Sequence, residues 1–186
     1  CSPPRGYQPP MRTRRRRMPS VVDTNVPIVA NRRCGEPLSC ANACAQALIK
    51  IRASGLLLID RAGGILAEYR RHCSLSGQPG VGDAFVRWVH DNRARQDLVG
   101  DIVITPKPGV TDDFVEFPAH PDLAGFDPSD RKFVAVANAH QGKPRILQAT
   151  DSKWWGCRVA LKECGIIVEF LCPGEIQQAY QRKFGR

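Results

Sequence analysis

Two aspartates stand directly where apolar runs of strand length come to an end. Asp23 follows the run at residues 20–22, and Asp151 follows the run that begins at Arg145. Ligands in an open parallel sheet gather at the carboxyl ends of the strands, so acids at these positions are candidates for a functional site. Taken one at a time, each acid is better explained as a helix N-cap or turn residue, because Asp is favoured there by hydrogen bonds to the backbone.

Two further acids lie on helix faces that are predicted to pack inward. Glu68 falls at helical spacing from Ile65 and Tyr69, and Asp130 falls at the same spacing from Phe133. Alone, Glu68 is better explained as a solvated residue at the edge of its stripe, since Glu is rarely buried without a partner. The first-turn position of Asp130, where the helix dipole favours an acid, explains that residue equally well.

The four acids together are harder to explain as separate structural residues. Carboxylates at strand ends and on inward helix faces repel one another unless a positive charge lies between them. Hard divalent cations prefer such oxygen ligands. Two of these ions about 3.5–4 Å apart activate a water and stabilise the leaving oxygen in phosphodiester hydrolysis. Asp23, Glu68, Asp130 and Asp151 are therefore predicted to hold a metal.

The elements that must position these acids alternate along the chain between strand and helix. This alternation predicts an α/β fold with a mostly parallel sheet and right-handed crossovers. The pattern changes within residues 97–127, where two short strands joined by Pro and Gly predict a hairpin-like insertion. The predicted strands are 20–22, 56–59, 101–105, 114–117, 145–149 and 166–171, and the predicted helices are 26–33, 38–54, 63–73, 82–95, 129–140, 152–164 and 174–183.

The positive charge is concentrated in one segment. The 186 residues carry a formal net charge of +9, and residues 1–18 hold six arginines and no acid, which leaves +3 for the rest. This segment is rich in Pro and Arg and lacks apolar periodicity, which predicts a disordered basic tail. It could contact nucleic acid or an acidic partner by charge alone, although upstream sequence ahead of a start at Met11 or Met18 explains it better. Residues 19–186 are predicted to form one domain.

The eight cysteines show no CxxC pair and no set of ligands at zinc-finger spacing. Several of them fall in apolar helical patterns, where a free Cys behaves as a small hydrophobe. Buried, reduced thiols in a cytosolic protein are therefore predicted. No apolar stretch approaches the roughly 18 residues of a membrane helix, which excludes a protein that spans a bilayer by helices.

The four acids lie in four short motifs: Val21-Val-Asp-Thr-Asn25, Ile65-Leu-Ala-Glu-Tyr-Arg70, Asp130-Arg-Lys-Phe-Val-Ala-Val-Ala137 and Ala149-Thr-Asp-Ser-Lys-Trp154. In order, these resemble the acidic motifs of PIN-domain nucleases, over about residues 20–172 and with an interruption near 97–127. The resemblance implies a three-layer α/β sandwich. It also implies Mg2+- or Mn2+-dependent endonucleolytic cleavage of RNA, as in the toxins of bacterial toxin–antitoxin pairs.

The resemblance assigns roles to individual residues. Asp23, Glu68, Asp130 and Asp151 match the metal-binding carboxylates. Asn25 matches the polar residue that closes the first motif and orients it. The implied mechanism is attack on the scissile phosphorus by a water activated on the metal, without a side-chain nucleophile.

Lys153 departs from the family pattern, because many relatives have another acid two residues after the fourth motif's aspartate. An ammonium there could instead contact phosphate. Asp60 and Asp127 are competing acids, the first of them readily explained as a cap. The cations that flank the motifs are candidates for phosphate contacts, although solvated surface positions explain any one of them better. These cations are Arg70, Arg71, Arg131, Lys143, Arg145 and Lys153.

Two other functions remain open on the sequence. A catalytically weak PIN-like module would only bind RNA or a protein partner. A receiver-like phosphoryl acceptor is disfavoured, because the first loop carries Asp23 and Asn25 and no pair of acids. The expected partner is an RNA substrate, and an antitoxin, another protein or a second copy of the chain are further options. No association with a membrane is expected. A bacterial, cytoplasmic protein is expected, since no export signal follows the arginines.

Overall fold

Five parallel strands form the central sheet of the part of the chain that the structure, a computed structural model, describes: residues 17–32, 35–75 and 80–185. The strand order is β3-β2-β1-β4-β5. This arrangement confirms the predicted α/β class. The strands are β1 (Pro19–Val22), β2 (Leu56–Asp60), β3 (Val99–Ile102), β4 (Arg145–Gln148) and β5 (Val168–Phe170).

Helices cover the sheet and bury the central strands. Helix α5 packs on β1, β2 and β4, while α1, α2 and α4 pack against one another. The three central strands are buried over nearly their whole length and most of their residues are apolar, as expected for a parallel sheet covered on both faces. The helices are α1 (Asn25–Ala30), α2 (Leu38–Ser54), α3 (Gly64–His72), α4 (Val81–Asn92), α5 (Arg131–Ala139), α6 (Ser152–Gly156), α7 (Arg158–Glu163) and α8 (Pro173–Phe184).

The strand order reverses at β1. Strands β2 and β3 follow on one side of β1, and β4 and β5 on the other. Because β1 pairs directly with β4, with Val22 opposite Leu147, the carboxyl ends of these two strands lie side by side. Such a switch point opens a crevice beyond the strand ends, which is where ligands bind in folds of this kind.

The predicted hairpin at 97–127 is wrong in its first half. Residues 99–102 form β3, which pairs parallel to β2 in the main sheet. The antiparallel pairing of the remaining segment consists of one bridge between Pro106 and Phe114. The apolar run at 102–104 predicts a strand but not its partner, and Pro106 has no amide hydrogen with which to extend a ladder.

Residues 103–127 are attached to the domain by aromatic side chains. The Phe126 ring lies between Phe117 and Trp154, with ring centroids 5.6 and 4.9 Å away. Trp154 is fully buried and belongs to the core. The predicted helix 152–164 is divided at Cys157 into α6 and α7.

The prediction of reduced cysteines is wrong for Cys40 and Cys172, which form a disulfide with their Cα atoms 5.3 Å apart. The two residues are 132 positions apart, so the local pattern around each contains no sign of the other. The predicted tail lies outside the described residues except for Arg17 and Met18. Within the described ranges, no helix combines the length and apolarity needed to cross a bilayer.

Candidate metal centre

Asp23 is positioned by the pairing of β1 with β4. Its amide donates to the carbonyl of Leu147 at 2.9 Å, so the ladder continues one residue past the strand. The side chain is 1% exposed. Its Oδ1 accepts hydrogen bonds from the backbone amide of Asn25 at 2.9 Å and from Nε2 of Gln148 at 3.2 Å. The contact uses the main-chain amide of Asn25, so the predicted orienting role of its side chain stays a prediction.

Gln148 links the first and fourth motifs. It is fully buried at the end of β4, and its Oε1 accepts from the amide of Asp151 at 3.4 Å while its Nε2 donates to Asp23. Asp151 in turn is the N-cap of α6, where its Oδ1 accepts from the amide of Lys153 at 2.9 Å. The sequence prediction did not include Gln148, although a polar residue at the carboxyl end of a buried strand is a usable signal.

Asp130 is held by an indole. It ends the 3-10 turn at Pro128–Asp130 that precedes α5, and its Oδ2 accepts from Nε1 of Trp154 at 3.0 Å. Because Trp154 belongs to α6, this hydrogen bond joins the third motif to the fourth. The indole has only this one polar group, so a buried Trp normally finds such a partner.

Glu68 lies on the buried side of α3, as its helical spacing predicted, and it is paired. Its carboxylate forms an ion pair with Lys132 of α5, and the two side chains are 15% and 12% exposed. On the same helix, the hydroxyl of Tyr69 donates to the carbonyl of Val22, which ties α3 to the end of β1. Lys132 was missed by the sequence prediction, because nothing in the first turn of α5 distinguishes it from a solvated lysine.

The four carboxylates share one electrostatic environment. Burial raises the pKa of Asp23 well above its usual range, and the charges of Asp130, Glu68 and Asp151 raise it further. Burial and then the charge of Asp151 raise the pKa of Asp130 to about 7, although the Trp154 hydrogen bond opposes the shift. Acids from α3, the start of α5, and the ends of β1 and β4 are thus close enough for their charges to interact, and they favour a bound cation.

The acid cluster (Asp23, Glu68, Asp130 and Asp151) is more open than a filled metal site. Among the described residues, one group of three potential ligands has its ligand atoms all within 4.8 Å of one another, and it consists of cysteines instead. The amide of Gln148, the ammonium of Lys132 and the indole of Trp154 already satisfy three of the four acids. Without a cation, repulsion between the acids favours these protein donors.

The donor set nonetheless fits a hard cation. Carboxylate oxygens are the ligands that Mg2+ and Mn2+ prefer. Two hydroxyls next to the acids, Oγ1 of Thr24 and Oγ of Ser152, are buried and have no hydrogen-bond partner within the described part of the chain. An orphaned buried hydroxyl is uncommon, and its lone pairs suit an ordered water or ion.

The competing acids have structural partners. Asp60 caps α3, because its two carboxylate oxygens accept from the amides of Gly64 and Ile65, both at 2.7 Å. Asp127 forms an ion pair with Lys153 at 2.7 Å, and the Lys153 hydrogen bond lowers the pKa of this carboxyl to about 2. The interpretation of Asp60 as a cap is consistent with this geometry.

Arg131 is held by contacts within the fold, which disfavours its predicted role as a phosphate contact. Its side chain is 14% exposed and pairs with Asp113 at 2.9 Å. The guanidinium also donates to the carbonyls at 124 and 126 and lies 4.9 Å from the centroid of the Phe117 ring. These contacts attach residues 103–127 to α5.

Two further candidate cations lie at the wrong edge of the sheet. Arg145 begins β4 and pairs with Glu169 at 2.7 Å, while Lys143 donates to Asn138. Both therefore stand at the amino ends of the strands, away from the acid cluster. Their prediction as cations that flank the site is wrong, since position next to a motif in sequence does not set the end of the strand.

The remaining candidate cations are accessible. Arg70 and Arg71 are exposed on the C-terminal half of α3 and make no ion pair within the described ranges. Lys153 is 57% exposed although it pairs with Asp127. These three cations remain candidate phosphate contacts.

No protein-family model matches the chain, and no curated protein or solved structure matches it either.

Proposed function

We propose that this chain is a metal-dependent endoribonuclease of the PIN type. The observation that carries the proposal is the convergence of four acids, each from a different motif, near the carboxyl ends of β1 and β4, where burial and the neighbouring charges raise the pKa of Asp23 and of Asp130. Isolated caps at separate helix ends would not interact in this way. RNA is the substrate class of the family that the motifs resemble.

Asp23, Asp130 and Asp151, with Glu68, would hold Mg2+ or Mn2+. Such a cation, when bound, activates water for attack on phosphorus and stabilises the leaving 3′ oxygen. The residues around the acids fix their relative positions. Gln148 does so for two of them, because it hydrogen-bonds to the side chain of Asp23 and to the backbone amide of Asp151.

The cations near the cluster complete the proposed site. Lys132 forms an ion pair with Glu68 and holds this side chain in place beside the other acids. Arg70, Arg71 and Lys153 are exposed and available to the phosphates of a bound strand, where neutralisation of the backbone supplies most non-specific affinity.

Cleavage of a mixed single-stranded RNA tests the proposal directly. The purified protein is assayed with Mn2+, with EDTA, and as the Asp23→Asn variant. We expect cleavage only with the metal, and a loss of at least about a hundredfold in the variant, since a ligand that positions the reacting groups is removed. Asp112→Asn is the matched control, because Asp112 is exposed and its φ of 54° suits Asn equally well.

A catalytically weak module that binds RNA or a protein is the second candidate function. It is favoured by the ion pairs of Lys132 and Lys153, which place the protein's own cations around the acids. Retained RNA binding with no cleavage under any metal would favour this function over the first. An antitoxin, another protein partner or a second copy of the chain remains a prediction.

A further inference from the structure

A second cluster of potential ligands lies away from the acids. The sulfur atoms of Cys40, Cys44 and Cys172 all lie within 4.8 Å of one another. The three residues are 2%, 0% and 1% exposed. Their donor atoms are soft sulfurs, in contrast to the hard oxygens of the acid cluster, so the two clusters select different cations.

Two elements that are distant in sequence build this cysteine cluster. Cys40 and Cys44 are four residues apart and therefore share the buried face of α2. Cys172 is the N-cap of the twelve-residue helix α8. A helix N-terminus favours negative charge, which stabilises a thiolate at that position.

The geometry approaches that of a thiolate metal site. The Sγ atoms of Cys44 and Cys172 are 4.0 Å apart. Zinc–sulfur bonds of about 2.3 Å in a tetrahedral site place neighbouring sulfurs about 3.8 Å apart. The third sulfur, of Cys40, is bonded to Cys172 in this structure, so it must be released before three ligands are free.

We propose that Cys40, Cys44 and Cys172 form a site for a thiophilic cation such as Zn2+, which opens when the Cys40–Cys172 disulfide is reduced. A dithiol supplies two electrons and two protons to the disulfide and itself becomes a disulfide. The cation then binds the three sulfurs, and the three thiol protons pass to solvent. These sulfurs fill three of the four positions of a tetrahedral site.

The two states serve the same structural purpose. The disulfide joins α2 to the start of α8. In a reducing compartment that bond is lost, because thiol systems keep such pairs reduced. A bound cation restores the link between the same helices through three sulfurs. The cluster thereby links the start of α8 to α2 under either redox condition.

Titration of the reduced protein with Co2+ tests the proposal. Sulfur ligands give Co2+ an intense near-ultraviolet charge-transfer band that oxygen ligands do not, so binding at the acid cluster is not counted. We expect one equivalent per chain in the reduced protein, displacement by Zn2+, and no band in the oxidised protein. Native mass spectrometry with Zn2+ gives the stoichiometry independently.

Variants locate the site. Cys44→Ser retains both partners of the disulfide, so its oxidised form tests folding by circular dichroism. Its reduced form should bind Co2+ at least about tenfold more weakly, since even outer-shell losses reach that size. Cys164→Ser, a half-buried thiol elsewhere, is the matched control.

Two results would overturn the proposal. One is a reduced wild-type protein that takes up no Co2+ or Zn2+, and the other is unchanged binding in Cys44→Ser. Either result would leave a structural disulfide with a neighbouring thiol. Because the readout does not involve RNA and Asp23→Asn should leave it unchanged, its outcome is independent of the nuclease proposal.

Discussion

Two aspartates at the same edge of the sheet show how a cap differs from a candidate site. Asp23 follows β1 and Asp60 ends β2, and they are 1% and 2% exposed. Asp60 accepts one backbone amide of α3 on each of its oxygens. Asp23 accepts both of its hydrogen bonds on Oδ1, one of them from the side chain of Gln148. Equal burial at equivalent strand ends therefore does not distinguish the two roles, whereas their partners do.

The largest expected effect on stability comes from replacing each of these two aspartates by Asn. Asp60→Asn puts an amide donor against a backbone amide, which should lower the free energy of unfolding by about 2–4 kcal/mol. Asp23→Asn keeps an acceptor for both hydrogen bonds and relieves repulsion, so its stability should equal or exceed the wild type. Urea unfolding of both metal-free variants measures the difference. Equal losses would mean that Asp23 is also a structural cap.

Lys132→Met is expected to have the next largest effect. It leaves Glu68 without its partner in a pair that is mostly buried, which should cost about 1–3 kcal/mol. Added Mn2+ should recover part of this loss, because a cation at the acid cluster replaces the missing positive charge. Thermal unfolding with and without Mn2+ provides the measurement, and Lys132→Arg, which keeps the charge, is the control. A loss that Mn2+ leaves unchanged would separate Glu68 from the cation site.

The pH dependence of stability should reflect Asp130. Its pKa is about 7 in the folded protein against an ordinary 3.8, so folding favours the protonated form. The contribution of protonated Asp130 to the free energy of unfolding is fully present below pH 3.8 and is lost as the pH rises through 7. Asp130→Asn should therefore stabilise the metal-free protein at pH 8 by about 1–3 kcal/mol, less than the shift alone implies because the carboxyl is partly exposed.

This gain should vanish at pH 3.5, where the wild-type carboxyl is protonated in both the folded and the unfolded state. Unfolding at the two pH values in EDTA makes the comparison. A gain that is the same at both values would point to altered packing in place of relieved charge. The hydrogen bond from Trp154 survives in the variant, since Asn retains an acceptor.

The smallest effect is expected at Lys153. Its pair with Asp127 is 57% and 29% exposed, and such pairs contribute about 0–1 kcal/mol. Lys153→Met should therefore leave the free energy of unfolding almost unchanged while it weakens RNA binding and lowers the salt dependence of that binding. Fluorescence anisotropy at several salt concentrations separates the two effects. A drop in stability without a change in RNA binding would restrict Lys153 to its pair with Asp127.

Much of the fold followed from local patterns. The periodicity of residues 38–54 predicted α2 with the bounds that the structure has, and the apolar run at 56–59 predicted β2 to within one residue. The four acids were also identifiable, because each interrupts an apolar pattern or ends one. These features depend on the spacing of neighbouring side chains, which a single sequence contains.

Only the tertiary structure decided which residues that are distant in sequence contact one another. Gln148 and Asp23 are 125 residues apart, Cys40 and Cys172 are 132 apart, and Lys132 reaches Glu68 from another helix. The sequence predicts a strand at 101–105, yet the structure has β3 at 99–102, and whether this segment pairs with β2 or in a hairpin depends on the arrangement of the whole sheet. The spacing of apolar residues along the chain determines whether a segment forms a helix or a strand and which of its faces is buried. Strand order and helix packing decide which side chains meet, and the sequence alone therefore identified the acids without the residues that hold them in place.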